Sequence, residues 1–86
     1  MYFQPPQLTS KELDANILAY EIQQRMNAFG MPPALKDLRR DSVNFGFTAT
    51  CFKQALTTLG EQRRIRMLKH GGVQFVVLTG SQTRSF

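Results

Sequence analysis

Apolar side chains recur at steps of three and four residues through the first third of the chain. They are Ala15, Leu18, Ile22, Met26 and Phe29, with Leu13 and Ile17 widening the stripe. This period places side chains on one face of an α-helix. The pattern therefore predicts a helix from about Ser10 to Phe29.

The predicted helix has signals at both of its ends. Thr9 and Glu12 have the spacing of a capping box, and Leu8 and Leu13 are placed to close a hydrophobic staple. Gly30 provides a residue that can adopt the left-handed conformation common after a helix. The chain is expected to turn at Gly30.

A second, shorter helix is predicted from about Pro33 to Arg40, because proline fits the first helical turn. Leu35 and Leu38 supply its buried side. Residues 41–46 have the composition of a turn, in which Val43 and Phe45 are expected to anchor the chain to the core.

A third helix is predicted from about Ala49 to Gln62, with Thr48 as its N-cap. Phe52, Ala55 and Leu59 would lie on its inner face. Gly60 is its weak point, costing about 1 kcal/mol relative to alanine.

The period changes to that of β-strands in residues 64–69 and 73–78, which flank Gly71 and Gly72. Two glycines supply the positive φ angles of a two-residue hairpin turn. In that register Ile65 pairs with Leu78 and Met67 with Val76 on one face, and Leu68 meets Phe75 on the other. The hairpin would have two apolar faces.

Three helices followed by a hairpin predict an α+β fold, the winged helix-turn-helix, in which the hairpin is the wing. The predicted domain covers residues 8–78. Residues 1–7 and 79–86 are expected to be flexible termini.

The charge and length of the chain favour some classes of function over others. The chain has 86 residues and a formal net charge of +5, but residues 1–30 sum to −1 and residues 31–86 to +6. A basic region of this kind suits a nucleic acid or another polyanion, although it also suits a solvated surface. The length favours one domain.

Catalytic and metal chemistry find no support in the sequence. Cys51 and His70 are single residues of their types, so neither a disulfide nor a four-ligand zinc set is predicted. No nucleophile elbow or phosphate-cradling loop is present. The expectation is a protein that is not an enzyme, with no cofactor and no small-molecule substrate. Without a membrane-spanning run or signal peptide, it is expected to be cytoplasmic and away from membranes.

Two groups of residues are candidates for DNA contact. Exposed polar residues on the third helix would face base edges, with Thr48 at its start: Thr50, Lys53, Gln54 and Thr57. No acidic residue interrupts that row. A basic cluster would bind phosphates: Arg63, Arg64, Arg66, Lys69 and His70. The alternatives are an ordinary solvated helix face and a strand edge guarded by charge.

The second helix offers a further basic group: Lys36, Arg39 and Arg40. These side chains would either contact phosphates or pair with Asp37 and Asp41. The sequence leaves both possibilities open.

The chain also resembles a known family. Three features carry the resemblance: the run Gly30-Met31-Pro32-Pro33, the spacing of Phe52, Leu56 and Leu59 before Ile65, and Leu8, Thr9 and Glu12 ahead of them. Together they look like the N-terminal DNA-binding domain of the bacterial SOS repressor. The broader resemblance is to winged-helix repressors of the multiple-antibiotic-resistance type. It implies that Thr50, Lys53 and Gln54 read bases and that residues 70–72 form the wing tip.

Three departures limit what the resemblance implies. The turn before the third helix is about two residues longer, and Arg63 stands at the family's usual glycine before the wing strand. The self-cleaving peptidase and dimerisation domain is missing, so neither SOS induction nor autoproteolysis is expected.

The predicted function is a sequence-specific double-stranded DNA-binding transcriptional regulator. A repressor of bacterial, phage or plasmid origin, acting as a homodimer, is favoured. The alternatives are a winged-helix protein-interaction module and a non-specific nucleic-acid-binding accessory factor in replication or packaging.

Overall fold

Three α-helices precede a two-stranded antiparallel hairpin in the computed structural model, which describes residues 10–79. The elements are α1 (Ser10–Phe29), α2 (Leu35–Asp41), a 3-10 turn (Ser42–Phe45), α3 (Ala49–Glu61), β1 (Ile65–His70) and β2 (Val73–Leu78). The predicted α+β class and its order of elements are confirmed. We call the β1–β2 hairpin the wing.

The core lies where α1 packs against α3, and α2 and the wing close it. Its buried side chains come from every helix and both strands: Ala15, Leu18, Ala19, Ile22, Leu38, Phe47, Phe52, Ala55, Leu59, Ile65 and Val76. The predicted helical stripes and the inner wing face supply these positions. The core therefore fixes how α3 is presented to solvent.

Of the predicted flexible termini, only Thr79 lies within the described residues. The described residues do not include Leu8 and Thr9. They also exclude residues 1–7 and 80–86 of the predicted flexible termini. Thr79 differs from the prediction of a frayed tail: its amide donates to the Arg64 carbonyl at 2.9 Å and its hydroxyl to the Arg63 carbonyl at 2.8 Å. These bonds extend the wing by one residue.

The start of α2 was predicted wrongly. Pro33 precedes the helix, whose N-cap is Ala34 in an extended conformation. The Val76 amide donates to the Pro33 carbonyl at 2.9 Å, and Ala34 forms an antiparallel bridge with Phe75. Proline is compatible with the edge of a sheet, because only its carbonyl is needed there and its missing N–H costs no bond. Residues 33–34 thus form a minimal third strand beside β2.

The turn before α3 is also more regular than predicted. Val43 is 69% exposed and does not anchor the core, whereas Phe45 packs against it and meets Phe47 edge-on at 5.9 Å. Gly46 closes the turn with a φ of +86°. Val43 points to solvent, so of the two residues predicted to anchor this turn only Phe45 does so.

The end of α3 explains the departure at Arg63. The Arg64 amide donates to the Leu59 carbonyl and the Arg63 amide to the Gly60 carbonyl. These two bonds define a Schellman cap, which usually places glycine at the left-handed position. Here Arg63 occupies it with a φ of +58°. The helix ends at Glu61, one residue before the predicted end.

Replacing Arg63 by glycine is expected to raise the free energy of unfolding by about 1 kcal/mol, because glycine adopts this conformation without a steric cost. Urea denaturation measures the change. Arg63→Ala is the matched control, since it removes the charge and keeps the strained backbone. If Arg63 binds phosphate, both variants lose DNA affinity while only the glycine variant gains stability. Equal stabilities of the two variants would contradict the backbone argument.

The wing has the predicted register. Ile65 pairs with Leu78, Met67 with Val76 and Leu68 with Phe75. Gly71 and Gly72 have φ values of +60° and +81°, as a tight hairpin turn of this type requires. Ile65 and Val76 are buried, so their face of the wing is the one that meets the core.

Candidate nucleic-acid interface

The outer face of α3 presents the predicted row of polar residues. Thr50, Lys53, Gln54 and Thr57 are all exposed. The Thr48 hydroxyl accepts a hydrogen bond from the Cys51 amide at 3.1 Å, which confirms the predicted N-cap and fixes the first turn of the helix. The row is held on a helix whose opposite side is anchored in the core.

The members of this row differ in what their polar atoms can do. The Thr57 hydroxyl donates to the Lys53 carbonyl at 3.0 Å, so its remaining capacity is that of an acceptor. Among the described residues, the ammonium of Lys53 and the amide of Gln54 make no side-chain hydrogen bond. Thr50 makes none either, but Lys53 and Gln54 are the long side chains of the row and therefore reach furthest toward a ligand.

An acidic residue lies closer to the row than predicted. Glu61 lines a shallow groove with Lys53, Gln54 and Thr57, and Lys11 of α1 lies on its other side. Glu61 stands one helical turn beyond Thr57, at the C-terminal end of α3. The part of α3 suited to a polyanion is thus its N-terminal half.

Arg64 turns toward α1. Its guanidinium donates to the Asn16 side-chain oxygen at 2.8 Å and to Gln62 at 3.0 Å, and it is only partly exposed. This side chain ties the root of the wing to the first helix. Its predicted phosphate contact would have to break or share these bonds.

The structure does not bring the predicted basic cluster together on one surface. Side chains alternate along a strand, so Arg66 and His70 lie on the outer face of β1 and Lys69 on the inner face. Arg63 lies outside the strand, at the cap of α3. Strand periodicity, readable in the sequence, already separates Arg66 from Lys69.

The cations of α2 fall into two kinds. Arg40 pairs with Asp37 at 3.3 Å and with Asp41 at 3.1 Å, and Asp41 also pairs with Arg25 at 2.9 Å. Hydrogen bonds from Arg40 and then Arg25 hold the pKa of the Asp41 carboxyl below its ordinary value, so it is ionised at neutral pH. Both carboxylates of α2 are thereby engaged.

Lys36 and Arg39 make no ion pair within residues 10–79. Both are exposed and line a groove between α2 and the wing tip, together with Leu35, Gly72, Val73 and Gln74. We call this the α2–wing groove. The sequence indicated charge on α2, but the fold was needed to show which cations remain unpaired and what they face.

Among the described residues, exposed apolar side chains lie on α1 and on the outer face of the wing, as well as at other positions. Leu13, Ile17 and Tyr20 follow one another along α1 and are 49%, 42% and 61% exposed. On the outer face of the wing Leu68 is 44% exposed beside the partly buried Phe75 and Val77. The sequence predicted the widening of the α1 stripe by Leu13 and Ile17 and the second apolar face of the hairpin, and the structure adds Tyr20.

No protein-family model, curated protein or solved structure matches this chain. Within the described residues, no helix has both the length and the apolar character needed to cross a membrane. Any assignment of function therefore depends on the chain's own residues and their geometry.

Proposed function

We propose that the protein is a sequence-specific double-stranded DNA-binding transcriptional regulator, more specifically a repressor of bacterial, phage or plasmid origin that works in the cytoplasm. The observation that carries the proposal is the exposed pair Lys53 and Gln54, on a helix fixed by buried Phe52, Ala55 and Leu59. A rigid helix that presents uncommitted donors and acceptors is what base recognition in the major groove requires.

The charge distribution supports the same proposal. Exposed cations also lie on the wing, at Arg66 and Lys69, and on α2, at Lys36 and Arg39. Contacts of this type supply affinity without sequence choice, whereas α3 would supply the choice. The resemblance to the SOS repressor domain adds the expectation that Thr50, Lys53 and Gln54 read bases.

A second candidate function is a winged-helix protein-interaction module. The exposed stripe of Leu13, Ile17 and Tyr20 favours it, because uncovered apolar surface on a small domain marks a site of association. The basic surface favours DNA. Both features are compatible with a regulator that binds DNA as an oligomer.

Selection of bound fragments from randomised duplex DNA tests the proposal. Enrichment of one motif is the expected result. Retention of duplexes without a common motif would favour the non-specific accessory factor. Failure to retain duplexes at low salt would favour the interaction module.

The protein is expected to form a two-fold symmetric dimer, in solution or on DNA, through the α1 stripe or the outer wing face. One winged helix has a small footprint, and two copies address half-sites about one helical turn apart. Sedimentation should give about twice the monomer mass of 9.8 kDa, or two proteins per operator-length duplex. Ile17→Lys should abolish the dimer if α1 forms it, and Leu68→Lys if the wing does. A monomer that saturates one duplex as a single copy would refute the prediction.

A further inference from the structure

We infer that the α2–wing groove is a binding site for a phosphate of the DNA backbone, with Lys36 and Arg39 as its ligands. The inference rests on the proposed function and adds to it a site separate from the α3 row. It assigns different roles to neighbouring arginines of one short helix, which makes it directly testable.

The basic side chains of α2 differ in whether they are paired with a carboxylate. Asp37 and Asp41 neutralise Arg40, and Asp41 also binds Arg25. The carboxylates of α2 are thus drawn to Arg40 and away from the groove. Lys36 and Arg39 are three residues apart, which places them on one side of the helix and within reach of one ligand.

The wall of the groove opposite α2 belongs to the tip of the wing. Gly72, Val73 and Gln74 of the wing tip line the groove, and no acidic side chain is among its lining residues. Lys69 does not line the groove, but it is the register partner of Gln74, which does, and projects from the same face of the wing. Two separate elements thus bring positive charge toward one concave surface.

The donors at the groove match the chemistry of a phosphate group. Arginine and lysine with no acid partner are the usual ligands of phosphate, arginine through its planar fork and lysine as a point charge. A glycine turn leaves little side-chain bulk at the wing tip, and the Gln74 amide can donate to a phosphate oxygen. A single phosphodiester group fits these donors better than a flat base edge does.

The experiment compares Arg39→Gln with Arg40→Gln. The two variants lose the same charge from adjacent, exposed positions of the same helix, so net charge cannot explain a difference between them. Binding to a random-sequence duplex of about 20 base pairs is measured across a range of salt concentrations. Circular dichroism establishes that both variants are folded.

Arg39→Gln should lower affinity about fivefold near 0.15 M salt and reduce the magnitude of the salt slope by about 0.9, the value for one phosphate contact. Lys36→Gln should have a similar effect, and Arg40→Gln should leave the slope unchanged. Arg39→Lys keeps the positive charge and should therefore keep most of the salt slope. This variant distinguishes the loss of charge from a disturbance of the α2 helix.

Three outcomes would overturn the inference. Equal losses in Arg39→Gln and Arg40→Gln would reduce it to a general effect of net charge. If the wild-type protein binds the duplex and neither Arg39→Gln nor Arg40→Gln changes the salt slope, the phosphate site is refuted and the proposed function is not affected. A wild-type protein that binds no duplex would contradict both the phosphate site and the proposed function. If that protein binds poly-glutamate and Arg39→Gln abolishes the binding, the groove is a site for an acidic protein instead.

Discussion

Replacing Gln54 by alanine should weaken binding to the selected DNA motif by about 1 to 3 kcal/mol, or roughly 5- to 150-fold, and change binding to random DNA little. Gln54 is exposed on α3 and makes no side-chain hydrogen bond among the described residues. Its amide can both donate and accept, as adenine recognition requires. The loss is therefore expected only where the right base is present.

Gln24→Ala is the matched control, because Gln24 is an exposed glutamine on α1, away from the α3 row. It should leave both affinities unchanged. Titration of each variant against the selected and the randomised duplex measures the effect. An equal loss on both duplexes would show that Gln54 does not read bases.

Replacing Phe52 by alanine should lower the free energy of unfolding by about 3 to 5 kcal/mol. Phe52 lies two residues before Gln54 but is only 2% exposed, at the centre of the core that α1 and α3 share. Small domains have stabilities near the low end of about 5 to 15 kcal/mol, so this loss would remove much of the total. Urea denaturation at 25 °C measures it.

The neighbouring Lys53→Ala provides the comparison for stability, since Lys53 is exposed and alanine is a good helix former. Its effect on unfolding should stay within about 0.5 kcal/mol. A loss below about 1 kcal/mol in Phe52→Ala would mean that α3 is not anchored as described.

Local periodicity was sufficient to predict most of the fold. The stripe from Ala15 to Phe29 gave α1, and the two glycines at the wing tip set the register of Ile65 against Leu78. These features depend on residues close in sequence, or on a turn whose geometry only glycine supplies readily. Such signals are fully contained in the local sequence.

The sequence predictions were wrong mainly where hydrogen bonds between distant parts of the chain determine the backbone conformation. Nothing local indicates that the Pro33 carbonyl would accept from Val76, so residues 33–34 were assigned to a helix. At Arg63 the Schellman cap of α3 holds a residue with no preference for it in a left-handed conformation. The two bonds of Thr79 to residues 63 and 64 likewise join distant parts of the chain.

The candidate interface could be predicted only in part, for a similar reason. The exposed row on α3 follows from helical period, and the structure places Thr50, Lys53, Gln54 and Thr57 in solvent as expected. Which cations are available depends instead on ion pairs. The sequence contains the spacing of Asp37 and Arg40, but the Arg25–Asp41 pair spans 16 residues and appears only on folding.

The bridge between residues 33–34 and β2 has a consequence for the entropy of binding. β2 is bonded on one side to β1 and on the other to the segment that leads directly into α2. The wing is therefore tied to the segment before α2 at Phe75 and Val76, directly after the groove residues Val73 and Gln74, before any ligand arrives. A preorganised pair of walls has little conformational freedom left to lose when a ligand enters between them. More of the contact energy at the α2–wing groove would thus appear as affinity.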